Sequence, residues 1–346
     1  MNFREQVTHK LINKTKPPLS LGRLEAIATD MAVIQETLTP SAAPAVALIF
    51  AADHGVYAAG VSPYPQAVTA QMVANIVSGG AASSVLARAH DVAIYVIDVG
   101  VLTASAAHPL LHDARVRASS RNMAVEAAMS ETELTQALAA GDHAVARAVA
   151  GTGAKVLIMG EMGLANTTAA TAMSCALLNL PAAVMTGPGT GLDADGIAHK
   201  TRVIEQILAL HAPRAPHTPD GAGGAAQARE VLRCMGGLEI AAMVGAYLAV
   251  ARTRTVLLID GFIATAALLV AIRIDPAVRG HCLFAHTSGE PGHQHLLKEL
   301  NAEPILNFAM RLGEATGALT AYPLLKSACA IMTEMASFTS AGVSDR

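Results

Sequence analysis

A single carboxylate stands between two glycines near the C-terminus, in Met310-Arg311-Leu312-Gly313-Glu314-Ala315-Thr316-Gly317-Ala318. Glycine permits backbone angles that other residues avoid, so an acid on such a hinge can be held at one point facing a cleft. Glu314 is therefore a candidate general base. A local reading competes with it. Acids favour helix N-termini, and Glu314 could be a capping or first-turn acid of the final helix.

Four other clusters carry chemistry. Gly160-Glu161-Met162-Gly163-Leu164-Ala165-Asn166-Thr167-Thr168 follows an apolar run and opens an Ala/Thr-rich helical pattern. Helix N-termini bind phosphate, and Asn166 and Thr167 are good N-cap types; an ordinary capped turn fits equally. Thr186-Gly187-Pro188-Gly189-Thr190-Gly191 precedes a helical pattern from about Ile197, with Lys200 expected in its first turn. Three glycines let backbone approach a ligand, and an anion would offset the clash of Lys200 with the helix dipole. A flexible loop with an exposed lysine is the alternative. Neither loop is a Walker A, and neither has the GxGxxG spacing of a dinucleotide site. Asp53-His54-Gly55-Val56, with Ser62, Tyr64, Gln66, Thr69, Gln71 and Asn75 downstream, offers neutral hydrogen-bonding groups that suit a flat, uncharged heterocycle. His286-x-Ser288-x-Glu290-Pro-Gly-His293-x-His295 matches no HExxH or EF-hand spacing. It reads as a polar loop lining a cleft, and no metal is expected.

Something must bring these clusters together. Ala45–Phe50, Val92–Ile97, Lys155–Met159, Ala182–Met185, Thr255–Ile259 and Cys282–Phe284 are short apolar runs, each ending in a polar cluster. Continuous runs are the mark of strands buried on both faces. Helical periodicity lies between them, as in residues 197–210 and 263–272. The alternation predicts an α/β fold: a three-layer, doubly wound parallel sheet of about six strands. Right-handed crossovers put all the strand C-terminal loops on one edge, where open α/β sheets bind ligands. Residues 1–37 predict two amphipathic helices broken at Pro17-Pro18, and the chain is again helical from Gly317 to about Phe338. A large α/β domain over 38–305 and a small helical domain from 1–37 and 306–346 are expected. Residues 211–224, rich in Pro and Gly, predict a loop.

Composition narrows the function. Hydrophobic residues are 52% of the 346, charged residues 15%, aromatics 3%, and the formal net charge is -3. Such a chain has neither the basic field nor the stacking rings of a nucleic-acid binder. The longest apolar runs, 240–251 and 261–272, fall short of the roughly 20 residues of a spanning helix, so buried helices and no membrane association are expected. The first residues lack an apolar signal core. Cys175, Cys234, Cys282 and Cys329 are far apart without a CxxC pair, as in a reduced, cytoplasmic protein.

Read in order, "ADHGV", "YPQ-x-VT-x-QMV-x-N" with "GGAA", "IYVIDVGV", "GEMG-x-x-NTT", "GPGTGLD" then "HK", "MGGLEIAAM-x-GA", "LLIDGF", "H-x-S-x-EPGH-x-x-LL" and "MRLGE-x-TGA" resemble the nicotinate-nucleotide–dimethylbenzimidazole phosphoribosyltransferase family. The match runs from about residue 10 to 340. The resemblance implies transfer of phosphoribose from nicotinate mononucleotide to a benzimidazole nitrogen, with inversion to the α-riboside, in assembly of the cobalamin nucleotide loop. It implies a homodimer, no cofactor and no metal. It implies that Glu314 is the base and that Glu161 and Lys200 lie near the phosphoribosyl group. Gly187, Gly189, Thr190 and Gly191, with Asn166, Thr167 and Thr168, would cradle phosphate, and Met162, Leu312, Ser62 and Gln71 would contact the base. The family often has Gly after its catalytic Glu, where this chain has Ala315. A non-catalytic nucleotide- or heterocycle-binding protein on the same fold is the alternative; the acid at 314 argues against it.

Overall fold

The computed structural model describes residues 2–211 and 224–344. Most of the Pro/Gly-rich stretch at 211–224 lies outside the described residues. Among the described residues, six strands form one sheet: β1 Ala45–Ala52, β2 Ala93–Gly100, β3 Leu111–Asp113, β4 Val156–Met162, β5 Val256–Ile259 and β6 Cys282–Phe284. Every pairing is parallel and the order is β3-β2-β1-β4-β5-β6. The order reverses between β1 and β4, which makes a switch point of the kind that binds ligands at strand carboxyl ends.

The expected strand at 182–185 is a helical turn, Ala182–Met185, opened by Pro181. Four apolar residues are too few to separate strand from helix by pattern. The sixth strand is β3 at the sheet edge. Its three residues are at most partly buried, so no apolar run announces it. Glu161 and Met162, expected in a loop, are the last two residues of β4, and Glu161 pairs in register with Phe50.

Strand alternation divides the core. Val46, Leu48, Phe50 and Ala52 of β1 face one apolar cluster with the helices Glu131–Thr152, Asn166–Leu178, Leu238–Val250 and Phe262–Ile274. Ala45, Ala47, Ile49 and Ala51 face the other, shared with the helices Phe3–Ile12, Arg23–Ile34, Val68–Val77, Ala82–Ala89 and Thr316–Glu334. Both expected N-terminal helices are present, and both chain ends pack over one face of the sheet. The Tyr322 hydroxyl donates to the Ala42 carbonyl at 2.9 Å across that layer. The helix Glu131–Thr152 starts at a Ser130/Glu133 capping box and lies close against Leu238–Val250. A Cβ at Gly141 would strike the Ala242 carbonyl, and one at Gly245 the Leu138 carbonyl.

The two long apolar runs are buried helices of 13 residues each. The segment Val68–Ala89 has the length and hydropathy of a membrane span, but it comprises two helices with Gly79-Gly80 between them.

Candidate active site

A cleft of about 640 Å³ opens at the carboxyl edge of the sheet. It is lined by the end of β4 (Glu161, Met162), the start of the helix after it (Asn166, Thr167), the glycine loop (Gly189, Thr190), the loops after β5 and β6 (Asp260, Gly261, His286, Ser288, Glu290) and Arg311–Glu314. The clusters picked out by residue type therefore converge.

Glu314 is buried and its carboxylate accepts a hydrogen bond from the Ser83 hydroxyl at 3.4 Å. Gly313, Glu314 and Ala315 all have positive φ, at 83°, 57° and 64°. Such a run is costly for the two residues with a Cβ and turns the carboxylate inward. Burial is the main cause that raises the Glu314 pKa above the ordinary carboxylate value; the Ser83 hydroxyl opposes it and the nearby Asp260 adds to it. Leu312 is not the source of that burial, for it sits 60% exposed on the cleft rim. Nor does Glu314 cap the final helix. The N-cap is Ala315, without a side-chain hydrogen bond; instead Asp260 Oδ1 accepts the Ala318 N–H at 2.8 Å.

Glu161 lies beside Glu314 on the cleft floor, and the Asn166 side-chain amide donates to it. Burial, with Glu239, Asp260 and Glu314 as like charges, raises its pKa well above the usual range. Glu239 is paired in turn with His54 at 2.6 Å, both side chains fully buried. The helix after β4 begins one residue earlier than its capping types suggest: Ala165, at φ 73°, is the N-cap. That frees Asn166 for Glu161 and Thr167 for Lys200.

Lys200 departs most from expectation. The helix carrying it starts at Ala194, so Lys200 is in the second turn, wholly buried. Its ammonium donates to Thr167 Oγ1 at 2.8 Å and the Gly187 carbonyl at 3.4 Å. Burial lowers its pKa to about 8, against the pull of Glu290. Glu290 accepts the Gly189 N–H at 3.0 Å, and Arg311 donates to the Gly189 carbonyl at 2.8 Å. Gly189 and Gly191 have positive φ, and a Cβ at Gly187 would collide with Glu290. Two cations, Lys200 and Arg311, thus flank the glycine loop at the mouth of a helix N-terminus, a setting that suits a phosphate. Thr168 is fully buried behind the loop, its hydroxyl without a partner.

The cleft also has an apolar lining: Tyr64, Val68, Met72, Met162, Leu164 and Leu312. Val68 and Met72 are one helical turn apart on Val68–Val77, so they share a face. Gln71 lies off that face and is exposed; neither it nor Ser62 lines the cleft. The apolar spacing of Val68 and Met72 was the signal that could have found this face of the helix; Tyr64 joins it from the preceding loop. Of the three histidines after β6, only His286 reaches the cleft. His293 Nδ1 accepts the Ser288 N–H at 2.8 Å and its Nε2 lies 3.0 Å from Thr265 Oγ1. Burial pushes its pKa down to about 3, so a neutral ring pins the loop.

The sequence and the fold have counterparts. A family model described as "Phosphoribosyltransferase" matches residues 1–343. A Pseudomonas aeruginosa (strain UCBPP-PA14) protein named nicotinate-nucleotide–dimethylbenzimidazole phosphoribosyltransferase is 48% identical over 344 residues, 99% of this chain and 95% of its own length. A Ralstonia nicotianae protein of the same name is 49% identical over 337 residues, covering 96% and 92%. The crystal structure of CobT from Thermus thermophilus superposes with a TM-score of 0.92 at 41% identity, covering 99% of both chains. On identity, coverage and fold together, the chain belongs to the nicotinate-nucleotide–dimethylbenzimidazole phosphoribosyltransferase family.

Proposed function

We propose that this protein transfers phosphoribose from nicotinate mononucleotide to 5,6-dimethylbenzimidazole or a related base, giving an α-riboside phosphate and nicotinate for the cobalamin nucleotide loop. The bond from the ribose C1′ to the pyridinium nitrogen breaks, and its electron pair neutralises that nitrogen, so no general acid is required. The lone pair of one benzimidazole nitrogen forms the new bond. The proton on the other nitrogen goes to Glu314, which prevents a cationic product. Support comes above all from Glu314 itself. It is a buried carboxylate on the cleft floor, its proton affinity raised by burial, within the same cleft as an apolar wall that fits a flat ring. A base acts best with a pKa near the working pH.

Thr167, Gly189 and Thr190, which line the cleft, hold the phosphate; Lys200, Gly187 and Gly191 stand outside that lining and complete the site through Thr167 and the loop backbone, with Asn166 and Thr168 supporting the turn. Glu161 faces the sugar, where a developing positive charge favours its ionised form. Met162 and Leu312 flank the base; Ser62 and Gln71, which stand outside the cleft, act on it only through the segment that carries Tyr64 and Met72. We take residues 1–37 and 306–346 as a small helical unit, supported by the packing of Arg23–Ile34 on Thr316–Glu334. Homodimerisation is carried by the family resemblance. A cytoplasmic location fits four buried cysteines outside any disulfide.

The test is incubation with nicotinate mononucleotide and dimethylbenzimidazole. Nicotinate release that depends on the added base, with α-riboside phosphate detected by NMR, is expected. Binding of both ligands without release would favour a non-catalytic binder.

A further inference from the structure

Asp260 directly follows β5 and is buried beneath the cleft. Its Oδ1 accepts the N–H of Ala318, at the third position of the helix Thr316–Glu334, at 2.8 Å, and the Gly317 and Gly261 amides also donate to it. That helix has no side-chain cap of its own, and its N-cap residue directly follows Glu314. His286, from the loop after β6, holds the other side of the contact. Its Nε2 lies 3.6 Å from Asp260 Oδ1. Its ring occupies the space where a Cβ at Gly317 would sit, so Gly317 lets the ring lie directly on the helix start. Asp260 and His286 thus anchor the helical end of the three left-handed residues 313–315.

We propose that Asp260 is the positioning residue for Glu314: by capping Gly317 and Ala318 from a different strand, and backed by His286, it fixes the strained turn that aims the base and sets the electrostatic field at its carboxylate. The proposal rests on the assignment of Glu314 as the base. Asp260 makes no proton transfer of its own. A turn with two non-glycine residues in the left-handed region relaxes when its anchor is removed, and a shift of about 1 Å in a reacting group can cost about a hundredfold in rate.

The groups facing Glu314 are Ser83 from the helix Ala82–Ala89, Asp260 from the end of β5 and Glu161 from β4. Glu161 is faced in turn by Asn166 and Glu239, and Asp260 by His286. Asp260→Asn keeps an oxygen for the helix amides and removes one like charge from this set. Asp260→Ala removes the cap as well.

The experiment measures kcat, both KM values and the pH profile of kcat for wild type, Asp260→Asn, Asp260→Ala and Glu314→Gln, with thermal denaturation of each. Asp260→Ala is expected to lose at least about tenfold in kcat, with both KM values within about threefold. Asp260→Asn is expected to keep kcat within about threefold while its acid limb moves to lower pH, because the neighbouring negative charge is gone. An Asp260→Ala enzyme with wild-type kcat, or an Asp260→Asn acid limb at the wild-type position, overturns the proposal. If Asp260→Ala does not fold, the Asp260→Asn profile decides alone. Glu314→Gln separates the two levels. Wild-type turnover in that variant removes the base itself, whereas an inactive Glu314→Gln beside wild-type-like Asp260 variants removes only the positioning role.

Discussion

Gly313→Ala gives a sharp test of how the base is presented. Gly313 has φ 83°, in the left-handed region, where a Cβ costs about 1–2 kcal/mol. The new methyl would also overlap Glu161 Oε1. That carboxylate is the end of a side chain and can turn away, but it is buried and tied to Asn166. An off-rotamer shift costs about 0.5–1.5 kcal/mol. The total is about 1.5–3.5 kcal/mol. Unfolding entropy is about 2.1 cal/mol/K per residue, so for 346 residues the expected fall in Tm is about 2–5 °C. Displacing Glu161 and its neighbour Glu314 should lower kcat at least about tenfold. The reverse change, Ala315→Gly, is a control. It relieves about 1 kcal/mol at φ 64° but loses a fully buried methyl worth about 0.8 kcal/mol, so Tm should stay within about 1 °C. Calorimetry and steady-state kinetics on both variants settle the matter. A Gly313→Ala enzyme with wild-type Tm and turnover refutes the geometry claimed for this turn.

Lys200→Met should raise the KM for nicotinate mononucleotide by about tenfold or more, the worth of a charge-assisted hydrogen bond; an unchanged KM removes Lys200 from the phosphate. Burial sets the Lys200 pKa at about 8. Wild-type kcat/KM for the nucleotide should therefore fall above that pH as the ammonium loses its proton, and the limb should be absent in the variant. Glu314 must be ionised to act, and burial raises its pKa. Activity should accordingly fall with decreasing pH, starting above the ordinary carboxylate range; a pH-rate profile with its acid limb near the free-glutamate value would contradict this. His54→Ala leaves the fully buried Glu239 without its imidazole partner. A loss of about 3–5 kcal/mol is expected, read as a lower denaturation midpoint.

Much of the architecture was legible because strands buried on both faces are continuous apolar runs. β1, β2, β4, β5 and β6 all follow such runs. β3 is short and half-exposed at the edge, and Ala182–Met185 is an apolar tetrad that Pro181 starts as a helix; neither leaves a pattern. The glycine loop and Glu314 were legible from residue type. The burial of Lys200 was not, because its exposure depends on where the helix begins and on Thr167 from another element. Asp260 and His286 were visible as strand-end residues, yet their meeting at Gly317 is a product of the fold. Ser62 and Gln71 were chosen as hydrogen-bonding types, whereas the cleft takes Tyr64 from the loop before the helix, and Val68 and Met72 from one face of the helix itself.

The base assignment is tested most directly by turnover in Glu314→Gln. Glutamine has the same shape and can still accept from Ser83. A carboxylate whose pKa is raised on folding is penalised when ionised at neutral pH, so its neutral replacement should not lower stability. The expected result is a Tm at or above wild type, unchanged nucleotide binding, and a loss of α-riboside phosphate formation of about 10²–10⁴-fold. Turnover within about threefold of wild type, in a folded Glu314→Gln enzyme, would contradict the role of Glu314 as the base.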